Sequence, residues 1–253
     1  MSHAHAVWFS DEIVALRGYW RQREMLIKSA ASHIQHMQKA LQQMNLRLDN
    51  VVSDITGQTG MAIIKAILAG ERDAAKLSEF RNHRCHATAD EIAASLVGNY
   101  RHEHPFALRQ AVELYEFYQA KIEECEQQIE QYLRKLPHNR EDSPPQVGKW
   151  QKRHEVSFEV RDKLYKLVGV DIFRVPGLNA ETLMTLYSEV GADMGRWPSE
   201  KHFTSWLSLC PGTKISGGKV LSRKTRPSKN RAAAAFRQAA VCAGRRETSL
   251  GAF

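Results

Sequence analysis

The chain has 253 residues, 43% hydrophobic and 25% charged, an ordinary balance for a globular protein with enough length to bury a core. No run of residues approaches the roughly eighteen consecutive apolar positions of a membrane-spanning helix, and residues 1–9 lack the charged-then-apolar order of a signal peptide. Four scattered cysteines, Cys85, Cys125, Cys210 and Cys242, form no C-x-x-C pair, which argues against a zinc site or a disulfide framework and points to a reducing cytoplasm. The net charge of +8 is uneven: residues 201–253 hold eleven Lys and Arg against the single acid Glu247, so the other 200 residues sum to −2. A basic end on a near-neutral body points to a polyanion, with nucleic acid as the leading partner and a solvated charged face as the rival.

The first segment reads as a long helix. Ile13, Trp20, Ile27, Ile34, Leu41 and Leu48 recur at the a position of a heptad, and Leu16, Arg23, Ala30, Met37 and Met44 at d. Alternating spacings of three and four over five heptads are coiled-coil periodicity. Ser10 or Asp11 caps its start, and Arg23 either sets register or snorkels out of the seam. Residues 55–70 read as a glycine turn, Gly57 and Gly60, leading into a short helix with Ile63, Ile64, Ile67 and Leu68 on one face and Gly70 closing it. Ala87–Leu96 forms another short helix capped by Thr88. His83, His86, His102, His104 and Cys85 are scattered through this insert, but no pair has a metal-ligand spacing.

A second heptad follows, with Leu108, Tyr115, Ile122, Ile129 and Leu136 at a and Ala111, Tyr118, Cys125 and Tyr132 at d. The two heptad helices can pair with each other, or each with its copy in a second chain. Pro137 stops the second, and the polar, Pro-containing stretch 137–157 reads as a linker.

Beyond the linker, Val175-Pro176-Gly177-Leu178 precedes a helix capped by Asn179, carrying Leu183, Leu186, Tyr187 and Val190 on its apolar face and ending at Gly191. This resembles half of a helix-hairpin-helix element, in which a glycine turn offers backbone N–H groups to a phosphate; a turn buried in the core is the rival reading. Phe203–Leu209 reads as an apolar helix packed in the core and stopped by Pro211-Gly212. Lys214, Ser216, Gly217, Gly218 and Lys219 then read as a mobile loop, followed by Arg223, Lys224, Arg226, Lys229 and Arg231 and a final helix capped by Ser228. From Gly212 to Arg237 there are eight basic residues and no acid, the pattern of a phosphate-contacting surface.

The order Val-Pro-Gly-Leu, Ser-Glu-Val-Gly, Phe-Thr-Ser-Trp-Leu, Cys-Pro-Gly, Ile-Ser-Gly-Gly-Lys-Val and Asn-Arg-Ala-Ala-Ala-Ala resembles the C-terminal domain of the insertion sequence 110/116/902 transposases. The heptad helices, with the phrase from Ala31 to Gly70, resemble that family's connector. The resemblance implies a recombinase in two parts: a RuvC-like domain with four metal-binding carboxylates, and a C-terminal domain supplying a serine, which Ser216 matches. It implies Mg²⁺ held by the carboxylate domain, with no cofactor in this chain, and in some members an element-encoded guide RNA.

The expectations are therefore as follows. The fold is mainly α, with long coiled-coil helices before a small helical DNA-binding domain containing a helix-hairpin-helix-like element. Residues 1–136 form the connector with an insert at about 50–105, 137–157 the linker, and 158–253 the C-terminal domain, truncated at its end. The expected function is DNA binding as the C-terminal part of a transposase fragment that lacks the carboxylate domain and is inactive alone. Gly177, Lys214, Gly217, Gly218, Lys219, Arg223, Lys224, Arg226, Lys229 and Arg231 contact DNA, Ser216 is the catalytic candidate, and no residue holds metal. The chain is cytoplasmic, associates with itself through the coiled coil and does not enter a membrane. The alternative is a non-enzymatic nucleic-acid-binding coiled-coil protein.

Overall fold

The computed structural model describes residues 10–145, 156–225 and 227–245. Among them the fold is mainly α. In chain order the elements are α1 (Asp11–Gln43), α2 (Leu48–Val51), α3 (Gln58–Leu68), α4 (Ala74–Ser78), α5 (Ala89–Ser95), α6 (Glu103–Lys135), α7 (Val160–Val168), α8 (Ala180–Val190), α9 (Glu200–Trp206), β1 (Lys214–Ser216), β2 (Lys219–Ser222) and α10 (Arg231–Gly244). The chain divides into two compact units, Arg23–Glu124 and Met1–Gln22 with Cys125–Phe253, and α1 and α6 each contribute to both.

In the unit Arg23–Glu124, the heptad seam is spent inside the chain. Ala30, Met37, Leu41 and Met44 of α1 and Leu108 and Ala111 of α6 are buried, while Ile27 and Ile34 are half-buried. The two helices run antiparallel: Asn99 N, just before α6, donates to Met44 O at the end of α1, and His33 stacks on Tyr118 at 5.4 Å between ring centroids. Arg23 does not snorkel; it is buried, 2% exposed. Burial, together with neighbouring His36, holds the His33 imidazole below its usual value.

The short helices close the core over this pair. Ile63, Ile64 and Ile67 of α3 are fully buried, as the apolar spacing of that segment dictates. Gly60 sits inside the first turn of α3 rather than ahead of it, because a Cβ there would lie 2.3 Å from Ile55 O. Gly70, at φ +105°, ends α3 in a Schellman arrangement, with Gly70 N donating to Ile67 O and Glu71 N to Ala66 O. Thr88 and Glu91 form a reciprocal capping box at α5, which holds the Glu91 carboxyl below the ordinary range through the Thr88 N–H. Cys85 lies half-buried, its thiol on Val51 O.

In the other unit, Ile13, Leu16 and Trp20 of α1 are buried, and Trp20 Nε1 donates to Thr185 Oγ1 of α8 at 3.0 Å. The end of α6 supplies Cys125 and Ile129, Leu136 just after it is buried too, and Tyr132 lies against Tyr19 at 5.7 Å. Of the linker, Asn139 and Arg140 donate their backbone N–H groups to Lys166 O of α7, whereas residues 146–155 lie outside the described residues. Arg161 of α7 holds Asp171 through two hydrogen bonds, which lowers the Asp171 carboxyl and raises the guanidinium.

The apolar face of α8 is buried as its spacing predicts, with Asn179 Oδ1 accepting from Thr182 N and Gly191 at φ +79° closing the helix. Burial pushes the Tyr187 hydroxyl up to about 12. Helix α10 packs on α8 through small buried residues, Ala232, Ala233, Ala239 and Ala243.

Three local expectations change. Helix α9 ends at Trp206, well before Pro211: Ser208 takes φ +58°, and the Schellman bonds Ser208 N to Ser205 O and Leu209 N to Thr204 O complete the stop. None of its residues is fully buried; Phe203 and Trp206 join Trp197 and Phe236 in an aromatic cluster. The last helix is capped by Asn230, whose Oδ1 accepts from Ala233 N, while Ser228 Oγ accepts from Asn230 N just upstream. Finally, the glycine-containing stretch read as a mobile loop is an antiparallel hairpin, β1–β2.

Candidate nucleic-acid interface

The hairpin follows from its own sequence. Gly217 and Gly218 occupy φ +56° and +75°, the two left-handed positions of a tight turn whose twist matches the strands it joins. Neither has any atom within 4 Å of the place a Cβ would take, so here glycine answers a backbone need and not a packing one. Ser216 pairs with Lys219 and Ile215 with Val220, and a bulge shifts Lys214 opposite Ser222. Side-chain alternation sets Lys214, Ser216 and Lys219 on one face and Ile215 and Val220 on the other. Beyond the strands, Gly212 N donates to Lys224 O, and Pro211 bridges Thr225.

Every residue of both strands except Ser222 is exposed. Arg223 and Lys224 are exposed as well, so the hairpin and its exit present four cations to solvent. Arg226 lies outside the described residues. The Ser216 hydroxyl makes no hydrogen bond to any described residue. A serine hydroxyl becomes a competent nucleophile only with a base, metal or electrostatic help, and no described residue is bonded to this one.

Gly177 is not brought to this surface by its glycine character. It adopts φ +88° in the turn between the 3-10 turn Ile172–Arg174 and α8, and a Cβ there would stand 2.3 Å from Ala239 O of α10. Its missing side chain makes room for the backbone of another helix.

A second cationic feature lies at the start of α10. Lys229, Asn230 and Arg231 line an open cleft of about 210 Å³ together with Arg17 and Arg21 of α1, Glu189 of α8 and Trp206 of α9. Glu189 organises it. Its carboxylate accepts two hydrogen bonds from Arg21, both at 2.9 Å, and stands 3.3 Å from Arg17 Nε. Arg17 in turn donates to Ser188 O and Glu189 O, satisfying carbonyls at the C-terminal end of α8. Burial draws the Arg17 guanidinium down from its ordinary value, and the Glu189 charge opposes that pull. Sequence reasoning missed these residues. The available signal was the spacing of Arg17 and Arg21, which puts two cations on one face of α1.

Among the described residues no three His, Cys, Asp or Glu side chains converge to hold a metal ion. No helix among them is long and apolar enough to cross a membrane.

A helical unit bearing an exposed cationic hairpin is thus the setting of the one comparison that identifies a class. Residues 171–253 match the model of the Transposase IS116/IS110/IS902 family. The matched residues include α8, α9, the hairpin and α10, and the match supports the resemblance to that family's C-terminal transposase domain. No curated protein and no solved structure matches the chain.

Proposed function

We propose that this chain binds DNA as the C-terminal part of an insertion-sequence transposase, with the β1–β2 hairpin and the segment behind it as the backbone-contacting surface. The observation that carries the reading is the exposed face of Lys214, Ser216 and Lys219, lying within the matched residues 171–253 and continuing into Arg223 and Lys224. A two-stranded ribbon fits the major groove of duplex DNA, and lysines on such a ribbon meet phosphates without reading sequence. Ser216 stands on the same face as the two lysines, where a phosphate held by them would meet its hydroxyl. We assign it as the recombinase serine on the family resemblance. Its activation has to come from a group other than the described residues, none of which is bonded to it.

The test is the salt dependence of affinity for a short random-sequence DNA duplex. About four to six phosphate contacts give a slope of log affinity on log salt of roughly −4 to −5, each contact contributing about −0.9. Changing Lys214, Lys219, Arg223 and Lys224 together to Ala should flatten that slope by up to about 3.6 units. Binding that ignores salt, or that survives the fourfold change intact, refutes the hairpin as the DNA surface.

A further inference from the structure

The cleft at the start of α10 joins residues that the sequence keeps far apart. Arg17 and Arg21 come from the near-neutral N-terminal body, and Lys229 and Arg231 from the basic end. Four cations face a single carboxylate, Glu189, so the cleft keeps a formal charge of +3. Glu189 does not exhaust the donors it orders. Arg21 gives it Nε and Nη2, which leaves Nη1 with no partner among the described residues, and the side chain is 47% exposed. Lys229 is exposed and makes no ion pair or hydrogen bond to a described residue. The guanidinium is therefore already held in one orientation, so little side-chain freedom remains to be lost when an anion arrives. A volume of about 210 Å³ accommodates a phosphate group, and the Trp206 ring forms one wall.

We propose that this cleft seats a phosphodiester of the DNA backbone, with Arg21 Nη1 and Lys229 Nζ meeting its non-bridging oxygens and Glu189 acting as the positioning residue for Arg21. The inference rests on the DNA-binding reading of the C-terminal segment and extends it to α1, whose arginines nothing in the composition marked as DNA contacts.

The experiment uses the full chain and fluorescence anisotropy of a labelled random-sequence DNA duplex over a range of salt. Arg21→Gln should flatten the salt slope by about one unit and Arg21→Gln with Lys229→Gln by about two, whichever variant of the hairpin carries them. Arg21→Lys with Lys229→Arg keeps both charges and should keep the slope. If the double Gln variant leaves the slope unchanged while the hairpin variant lowers it, the cleft is not a phosphate seat and the DNA-binding reading stands. A fall in slope only with the cleft variant supports the cleft and removes the hairpin from the interface. If neither variant moves the slope, both readings fall. An equal loss in the charge-conserving and Gln variants identifies Arg21 as purely structural and overturns the inference.

Discussion

Replacing Gly177 with Ala tests whether this turn is a packing device. Two costs act together. At φ +88° a residue with a Cβ loses roughly 1–2 kcal/mol against glycine. The new methyl would also stand 2.3 Å from Ala239 O, 3.1 Å from Ala243 N and 3.2 Å from Ala239 C. All three are backbone atoms of α10 and cannot rotate away. A relaxed carbon-to-oxygen contact needs about 3.3 Å or more, so α10 has to move by about 1 Å from the turn, with a typical overpacking cost of about 1–3 kcal/mol. The expected loss is about 2–5 kcal/mol. Gly217→Ala is the control, because Gly217 is also left-handed but has open space around it; it should lose only about 1 kcal/mol. All five tryptophans fall in the residue ranges of the unit containing Gly177, so urea unfolding followed by tryptophan fluorescence reports that unit. With a slope of about 1–3 kcal/mol per molar, Gly177→Ala should lower the midpoint by about 0.3 molar or more relative to Gly217→Ala. Equal midpoints for the two variants would refute the close-approach argument.

Tyr187 supplies a pH prediction. Burial raises its folded-state value from an ordinary 10 to about 12, so the native state holds the proton more tightly than the unfolded one. Its stability contribution is complete below about pH 10 and is lost as pH rises toward about 12, a loss of up to about 3 kcal/mol. Urea midpoints across that interval should fall more for the native sequence than for Tyr187→Phe; parallel curves would refute the assignment. At the last helix, Asn230→Ala should cost about 1 kcal/mol and Ser228→Ala only a few tenths, since Asn230 alone satisfies an N–H inside α10. The reverse order in thermal melts would restore Ser228 as the cap.

The heptads were legible because seam burial repeats every seven residues, and Trp20, Met37 and Met44 are buried in register with it. Legibility ended at the partner. A heptad specifies an apolar stripe and not which chain covers it, and the alternative of pairing within the chain emerged only from contacts such as His33 on Tyr118. The caps at Asn179 and Thr88 were readable from local chemistry, whereas Ser228 and Asn230 are equally good caps two residues apart, decided by where α10 meets α8. The hairpin carried a Gly-Gly turn signal, yet strands of three and four residues bury nothing, so no apolar alternation announced them. The cleft was least legible of all. Its organiser, Glu189, is an acid on an otherwise apolar helix face, and its value depends on arginines about 170 positions away.

That distance also orders events during synthesis. Arg23–Glu124 is contiguous in sequence, so everything it needs has been translated once Glu124 emerges. The other unit closes on itself late: Trp20 waits for Thr185, its partner 165 residues downstream. At about 5–20 residues per second the ribosome takes roughly ten to thirty seconds to supply it. Throughout that interval Ile13, Leu16 and Trp20 have no α8 to cover them, and only the end of α6, made about fifty residues earlier, is there to lie against this stretch of α1.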